Sequence, residues 1–155
     1  MQADTGAKAL TPPHHICVVV KDIGETAEFL CLLFGIKGWD TVEATEHYKP
    51  DIKGLDELGI GEPFGIKEAR AKLGQLEVEL LQAKEDKPSC YSEFIKSHGE
   101  GIHHIAFNIS NFDDLVPKLL QQGAELVAGD FHEGKRWCFV RTNVGGILFE
   151  FLDNF

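Results

Sequence analysis

Two stretches of the chain share one pattern of apolar and polar positions. Each begins with a doubled histidine and continues as a short apolar run, HHICVVVKDI from residue 14 and HHIAFNISNF from residue 103. Apolar residues then recur at helical spacing and end at a glycine, Gly35 in the first stretch and Gly123 in the second. Because these signals return at an offset of 88 to 89 residues, the chain is predicted to contain an internal repeat.

Three strand-like segments follow the helix in each repeat. The predicted strands are residues 39–44, 65–73 and 76–82 in the first repeat, and 125–132, 137–142 and 147–152 in the second. Each repeat is therefore predicted to be a β-α-β-β-β module, and the fold class to be α+β. The predicted organisation is a flexible tail (1–12) and one domain (13–155), made of modules at about 13–84 and 101–155 and a linker (85–100) with a short helical pattern.

The first repeat is longer than the second. Its last strand contains VELL at residues 78–81, which matches FEFL at 149–152 at an offset of only 71 residues. About 18 extra residues must therefore lie inside the first repeat, and they are assigned to the polar stretch 46–64. This stretch is predicted to be a surface loop that covers a site.

The doubled histidines divide between two faces, because side chains alternate along a strand. The face that starts at His14 is apolar beyond that residue, as is the face that starts at His103, and both are predicted to pack on the helices. The other face carries His15 and His104 among small and polar residues. We predict that it forms an open concave surface.

The last strand of each module adds a carboxylate between apolar neighbours. Glu79 and Glu150 hold equivalent places in the two repeats, and such a carboxylate is costly unless it is paired, protonated or metal-bound. Two imidazoles and two carboxylates suit a six-coordinate divalent ion. Taken singly, such a histidine can be a hydrogen-bonded core residue and such a glutamate an exposed strand position; the repetition of the pattern favours a metal site at His15, Glu79, His104 and Glu150.

These motifs, together with the run GEGIHHIAF from residue 99, resemble the vicinal oxygen chelate superfamily, which includes glyoxalases, bleomycin resistance proteins and dioxygenases. The resemblance covers residues 13–155 and implies two β-α-β-β-β modules that form a cupped mixed sheet around a metal site. It also implies that the four residues named above are the metal ligands. The ion could be Zn, Co, Ni, Mn or Fe, since mixed imidazole and carboxylate ligands accept several metals.

Within the superfamily, the linker and the second histidine strand are most similar to methylmalonyl-CoA epimerases. This implies removal of a proton beside a metal-bound carbonyl and its return on the other face. The resemblance makes Glu68, in the run GIKE from residue 65, the candidate general base; the alternative is a charge on an edge strand beside Lys67 and Arg70. Glyoxalase I-like isomerisation of a glutathione adduct remains open, as does a non-catalytic binding protein. The small-molecule partner is accordingly expected to be an acyl-CoA or a glutathione thioester or adduct.

The amino-acid composition bears on nucleic-acid binding, on cellular location and on the state of the cysteines. The chain has 25 acidic against 15 basic residues, a net charge of −10, and no long basic cluster, which disfavours nucleic-acid binding. It also lacks an apolar run long enough for a membrane helix and an apolar segment typical of a secretion signal, so a cytoplasmic location is expected. Four separated cysteines without a C-x-x-C pair are expected to be reduced. The resemblance to the superfamily also implies that the protein is a homodimer.

Overall fold

Two β-α-β-β-β modules share one mixed sheet of eight strands in the computed structural model, which describes residues 11–49, 51–84 and 87–155. The first module contains β1 (His15–Val19), α1 (Ile23–Phe34), β2 (Asp40–Tyr48), a 3-10 turn (Leu55–Glu57), β3 (Glu62–Leu73) and β4 (Leu76–Ala83). Helix α2 (Cys90–His98) joins it to β5 (Gly101–Asn108), α3 (Phe112–Gln121), β6 (Glu125–His132), β7 (Lys135–Arg141) and β8 (Leu148–Asp153). The predicted α+β class and the modular order are confirmed.

The strand order reflects the repeat. It runs β2-β3-β4-β1-β5-β8-β7-β6, so each module contributes four neighbouring strands. Strand β1 is parallel to β4, and β5 is parallel to β8, while β1 and β5 meet antiparallel at the centre. This arrangement places β1 and β5, the strands of the two doubled histidines, side by side. The equivalent late strands, β4 and β8, flank them.

Local signals set the helix ends. The Asp22 side chain accepts a hydrogen bond from the Glu25 amide at 2.9 Å and starts α1, which ends at Gly35 in the left-handed conformation with φ 68°. Ser89 and Ser92 form a reciprocal capping box at the start of α2. Helix α2 is therefore longer at its start than the helical pattern of the linker indicates. In α3, Pro117 lies inside the helix rather than near its start, at the cost of one backbone hydrogen bond.

The predicted loop at residues 46–64 is wrong at both ends. Strand β2 continues to Tyr48 and β3 begins at Glu62, so that Glu46 pairs with Phe64 in the ladder between them. The polar and proline-containing composition of this stretch hides an edge strand, whose outward positions need no apolar side chain. Only the connection between Tyr48 and Glu62 remains outside the strands, and its residue 50 lies beyond the described part of the chain.

The predicted concave surface beside His15 and His104 is present, because the sheet curls around it, but most of it is closed rather than open. His15, Cys17 and Val19 are buried, whereas the alternate residues of β1 are only partly buried. The sheet curls so far that Phe64 on β3 and Phe139 on β7 fill the space above β1 and join one core cluster. Residues of the outer face pack under α1, as the pattern predicts.

The regular alternation of side chains along β5 is interrupted at His103. The register between β1 and β5 shifts after the pair of Cys17 and His104, because Val18 is opposite Ile102. His103 is the extra residue of this bulge, and both His103 and His104 contact the ring of Phe139. His103 nevertheless packs on a helix, as predicted, because its ring lies 5.1 Å from that of Tyr91 and 5.0 Å from that of Phe94 on α2.

Two expectations concern the chain ends and the membrane. Most of the predicted tail, residues 1–12, lies outside the described residues, although Thr11 donates a hydrogen bond to the carbonyl oxygen of Asn108 at 3.0 Å. Among the helices that the structure describes, none has the length and apolar character needed to cross a membrane.

Candidate metal centre

Four side chains from the two modules converge inside the curled sheet. Nε2 of His15 lies 3.2 Å from Nε2 of His104, 3.2 Å from Oε2 of Glu79 and 3.3 Å from Oε2 of Glu150. Nε2 of His104 lies 3.2 Å from Oε2 of Glu150 and 4.0 Å from Oε2 of Glu79. All four residues are buried. The structure thus brings together the residues that the sequence pattern singles out.

These separations fit the ligands of one divalent ion. Ligand atoms about 2.1 Å from an octahedral ion lie about 3.0 Å apart when adjacent and about 4.2 Å apart when opposite. Four of the five measured separations are 3.2 to 3.3 Å and the fifth is 4.0 Å. Two imidazole nitrogens and two carboxylate oxygens at these distances could hold Zn, Mn, Fe, Co or Ni.

The charges within the cluster are balanced among its own members. Burial alone would lower the pKa of His15, but hydrogen bonds to Glu150 and Glu79 outweigh it and raise that pKa to about 9. Burial opposes ionisation of Glu150, yet the neighbouring His104 and His15 hold the pKa of this carboxyl far below its usual range. The pKa of Glu79 is lowered in the same way, against its burial, by His15 and Arg70. The carboxylates are therefore ready to bind a cation, whereas His15 must lose a proton first.

Each candidate ligand histidine is held by the histidine before it. Nδ1 of His14 lies 2.8 Å from Nδ1 of His15, and Nδ1 of His103 lies 2.8 Å from Nδ1 of His104. Burial and the neighbouring His104 lower the pKa of His103 to about 3, so this ring is neutral and can accept a hydrogen bond. When Nδ1–H of His104 donates to it, Nε2 of His104 keeps the lone pair that a metal needs.

Glu68, the predicted base, is connected to this cluster through Arg70, which forms ion pairs with both Glu68 and Glu79. Its carboxylate accepts a hydrogen bond from Nε of Arg70, whose two terminal nitrogens donate to Glu77 at 3.0 Å and Glu79 at 2.6 Å. Burial raises the pKa of Glu68, with a further contribution from Glu79, and Arg70 offsets part of that rise. The sequence pattern indicates Arg70 only as a surface charge. Because Arg70 lies two residues from Glu68 on the same face of the strand, this spacing is the signal in the sequence that indicates their ion pair.

A cavity of about 480 Å³ is lined by His15, Glu79 and Glu150 of this cluster and by further polar groups. Glu46 lies in it half-buried, and its carboxylate accepts a hydrogen bond from the hydroxyl of Tyr91 at 3.0 Å. Burial, together with repulsion by Glu79 and Glu150, raises the pKa of Glu46 to about 8. Sequence reasoning missed both residues, because Glu46 was assigned to a loop and Tyr91 to the linker.

The cavity rim is formed where the two edge strands approach each other. Nδ1 of His47 on β2 lies 3.7 Å from Oδ2 of the buried Asp130 on β6, and the ring of His132 stands 6.1 Å from that of His47. His47 thus lines the cavity.

Cys17 lies deeper, behind the same cluster. Its sulfur, a carboxylate oxygen of Glu79 and a ring nitrogen of His104 lie within 4.8 Å of one another. Burial and the charge of Glu79 raise the pKa of this thiol well above its ordinary value, so Cys17 stays protonated. It is fully buried, in agreement with its interpretation as a small buried residue.

Solved structures with the same architecture share little sequence with this chain. The hypothetical protein BH1468 from Bacillus halodurans C-125 has a TM-score of 0.64 at 22% identity, over 96% of each chain. Methylmalonyl-CoA epimerase from Mycobacterium tuberculosis has a TM-score of 0.60 at 23% identity, over 99% of this chain and 92% of that one. A mutant of 4-hydroxymandelate synthase from Streptomyces coelicolor has a TM-score of 0.60 at 18% identity, over 99% of this chain and 52% of that one. These likenesses show the fold.

Sequence comparison gives the family. A search of curated proteins finds no match to this chain. The family model described as the glyoxalase/bleomycin resistance protein/dioxygenase superfamily matches residues 14–140, which include both doubled histidines and Glu79. The chain therefore belongs to the glyoxalase/bleomycin resistance protein/dioxygenase superfamily.

Proposed function

We propose that this protein is a divalent-metal-dependent enzyme that removes and returns a proton on the carbon beside a thioester carbonyl, in the manner of a methylmalonyl-CoA epimerase. The observation that carries the proposal is the meeting of two kinds of group. One is the cluster suited to a divalent ion, which consists of His15, Glu79, His104 and Glu150. The other is the carboxylate of Glu68, which is linked to Glu79 of that cluster through Arg70.

The ligand cluster supplies the electrostatic part of this chemistry. The four side chains would hold a divalent ion, and a bound ion would supply positive charge for the carbonyl oxygen that becomes negative when the proton leaves. The protein keeps these ligands in place through His14, His103 and Arg70, each of which hydrogen-bonds one of them. The burial of the cluster also excludes bulk water, which strengthens such electrostatic interactions.

Glu68 is proposed as the group that takes the proton. A general base works best when its pKa is close to the working pH, and burial moves the pKa of Glu68 upward in that direction. The ion pair with Arg70 fixes the orientation of the carboxylate on the inner face of β3. Arg70 is therefore a positioning residue in this proposal, since it acts through Glu68 and Glu79.

An epimerase must also return the proton to the other face of the carbon. Glu46 and Tyr91 are proposed for this step, because they form a hydrogen-bonded pair in the cavity that His15, Glu79 and Glu150 also line. With a pKa of about 8, the carboxyl group of Glu46 is protonated at neutral pH and can donate. The two acid–base groups thus belong to separate elements, Glu68 to β3 and the pair of Glu46 and Tyr91 to the neighbouring strand β2 and to helix α2.

The test is isotope exchange. The metal-loaded protein is incubated with methylmalonyl-CoA in heavy water, and deuterium incorporation is followed by mass spectrometry or proton NMR. Exchange with the wild-type protein and a loss of about 100-fold or more in Glu68→Gln, at unchanged metal content, are expected. Glu62→Gln, an exposed residue at the start of the same strand, is the matched control and should exchange like the wild type.

Other outcomes would redirect the proposal. Isomerisation of the methylglyoxal–glutathione adduct, without exchange into methylmalonyl-CoA, would contradict the epimerase and favour a glyoxalase I-like enzyme. Binding of these compounds without turnover would favour the non-catalytic binding protein. The predicted homodimer is retained as part of the proposal, and sedimentation equilibrium tests it.

A further inference from the structure

A second cleft, of about 840 Å³, lies outside the curled sheet. It is bounded by the end of β1, the outer face of β3, the end of β4 and one side of α2. Its lining residues are Val20, Lys21, Lys67, Gln82, Ala83, Lys84, Lys87, Pro88, Ser92, Ile95 and Lys96. A volume in this range is typical of small-molecule sites.

The charge of this cleft is opposite to that of the protein. Five of the eleven lining residues are lysines and none is acidic, although acidic residues outnumber basic ones 25 to 15 along the chain. Within the described residues, Lys84 is the only one of these five whose ammonium group lies within 4.0 Å of a carboxylate, that of the exposed Glu43 at 2.8 Å. The backbone amide of Lys21 donates to the carboxylate of Glu100 at 2.7 Å. The remaining ammonium groups have no carboxylate at that range in the described ranges, which omit Glu85 and Asp86. Such a concentration of positive charge attracts anions.

The position of Lys84 depends on the backbone of β3 at Gly65. The aliphatic stem of Lys84 crosses β3 at Gly65, where an added Cβ would come within 2.8 Å of Cδ of Lys84. The Lys84 amide also donates to the carbonyl oxygen of Gly65 at 2.9 Å. Gly65 thus leaves room for this stem, and the ammonium group is held beside the cleft by its ion pair with Glu43.

The cleft is separate from the metal centre. His15 begins β1 and Val20 follows its end, so the five-residue rise between them is about 16 Å. Residues separated by an odd number of positions along a strand point to opposite faces of the sheet. Lys67 therefore lies on the opposite face from Glu68 on β3, and Gln82 lies on the opposite face from Glu79 on β4. The core that contains Val19 and Leu81 lies on the inner side of the same strands, and Ala83 and Ile95 of the cleft pack on its edge. The cleft and the metal cavity have no lining residue in common among the described residues. A molecule in the cleft therefore does not share the metal cavity.

We propose that this cleft binds the diphosphate group of a small phosphorylated molecule. Several ammonium groups around one cleft match the adjacent charges of a diphosphate better than a single carboxylate or phosphate. Val20, Ala83 and Ile95 provide an apolar floor for the uncharged part of such a molecule. The limited volume and the net charge of −10 disfavour a nucleic acid. This proposal does not depend on the proposed function.

The test uses inorganic pyrophosphate and ADP as probes, with adenosine as the uncharged comparison. Calorimetry should give saturable binding of both anions and none of adenosine, and binding should weaken with salt. The double variant Lys67→Gln/Lys96→Gln should weaken binding at least about tenfold, because two charge-assisted contacts are lost. Gly65→Ala should also weaken it by displacing Lys84. Lys118→Gln, on α3, is the matched control and should bind like the wild type.

The metal centre is the competing site for a diphosphate. The variant His104→Gln should therefore keep the binding, and amide chemical shifts in NMR should move at Lys67, Lys84 and Lys96 when pyrophosphate is added. Binding that is lost in His104→Gln but kept in the double lysine variant would overturn the proposal. Equal weakening by Lys118→Gln would do so as well, as would the absence of saturable binding at millimolar pyrophosphate.

Discussion

The Nε2 atoms of His15 and His104 lie 3.2 Å apart, although 89 residues separate the two histidines in the chain. They are brought together by the antiparallel pairing of β1 with β5, in which Cys17 lies opposite His104 and His15 opposite Ala106. The two imidazoles are therefore diagonal neighbours on the inner face of the sheet. Since the contact joins the first module to the second, neither module contains the candidate metal centre by itself.

Removing one carboxylate should cost metal binding. We expect Glu150→Gln to bind Zn or Co more than about 100-fold more weakly than the wild type, because an anionic ligand is replaced by a neutral amide. Competition with a chromophoric chelator measures the affinity. Glu125→Gln is the control, since Glu125 is an exposed residue on β6. Equal affinity of the Glu150→Gln protein would remove Glu150 from the ligand set.

Metal affinity should depend on pH through His15. Because the pKa of His15 is raised to about 9, its ring is protonated at neutral pH in the metal-free protein, and an ion must displace that proton. The apparent affinity should fall about tenfold for each unit of pH below about 9. Calorimetry in buffers of different ionisation enthalpy should show about one proton released per ion bound. An affinity that is constant between pH 6 and 8 would contradict this assignment.

The histidine before each ligand should matter through its Nδ1 atom. We expect His103→Leu to weaken metal binding by about 10- to 100-fold, because Nδ1 of His104 loses its acceptor. His103→Asn places an amide oxygen near the lost Nδ1 and should restore much of the affinity. A purely structural role would make the two variants alike, and thermal unfolding of the metal-free proteins separates affinity from stability.

Glu46 should make the metal-free protein less stable at alkaline pH. Its carboxyl group keeps its proton in the folded state up to about pH 8, whereas the unfolded chain releases it near the ordinary value of 4.5. The folded state therefore binds more protons between these values, and stability decreases as pH rises through them. Glu46→Gln removes this effect, so its Tm should exceed that of the wild type by several degrees at pH 9 and match it at pH 4.

A matched variant tests the cause of that shift. The hydrogen bond from Tyr91 favours the ionised form of Glu46, so Tyr91→Phe should raise the pKa of Glu46 further. The loss of stability between neutral and alkaline pH should then be larger than in the wild type. In a Tyr91→Phe/Glu46→Gln protein this dependence should disappear. Persistence of the same pH dependence in the double variant would assign it to another group.

The sequence by itself determined the fold class, the two modules and the four convergent side chains. These depend on periodicity and on repetition, which are local properties: His15 and His104 lie on the equivalent strands β1 and β5, and Glu79 and Glu150 lie on the equivalent strands β4 and β8. A duplicated pattern also carries long-range information, because equivalent residues of paired modules meet near a common axis. For this reason the candidate ligands could be named before the sheet was seen.

Only the tertiary structure decided what surrounds them. The curl of the sheet buries the face of His15 that its small and polar neighbours had indicated to be open, and the bulge at His103 turns that residue inward. Arg70 and Lys67 have similar sequence contexts, yet Arg70 binds Glu68, Glu77 and Glu79 while Lys67 lines the outer cleft. Strand curvature and bulges arise from packing between distant segments, and a local pattern of polar and apolar residues does not specify them.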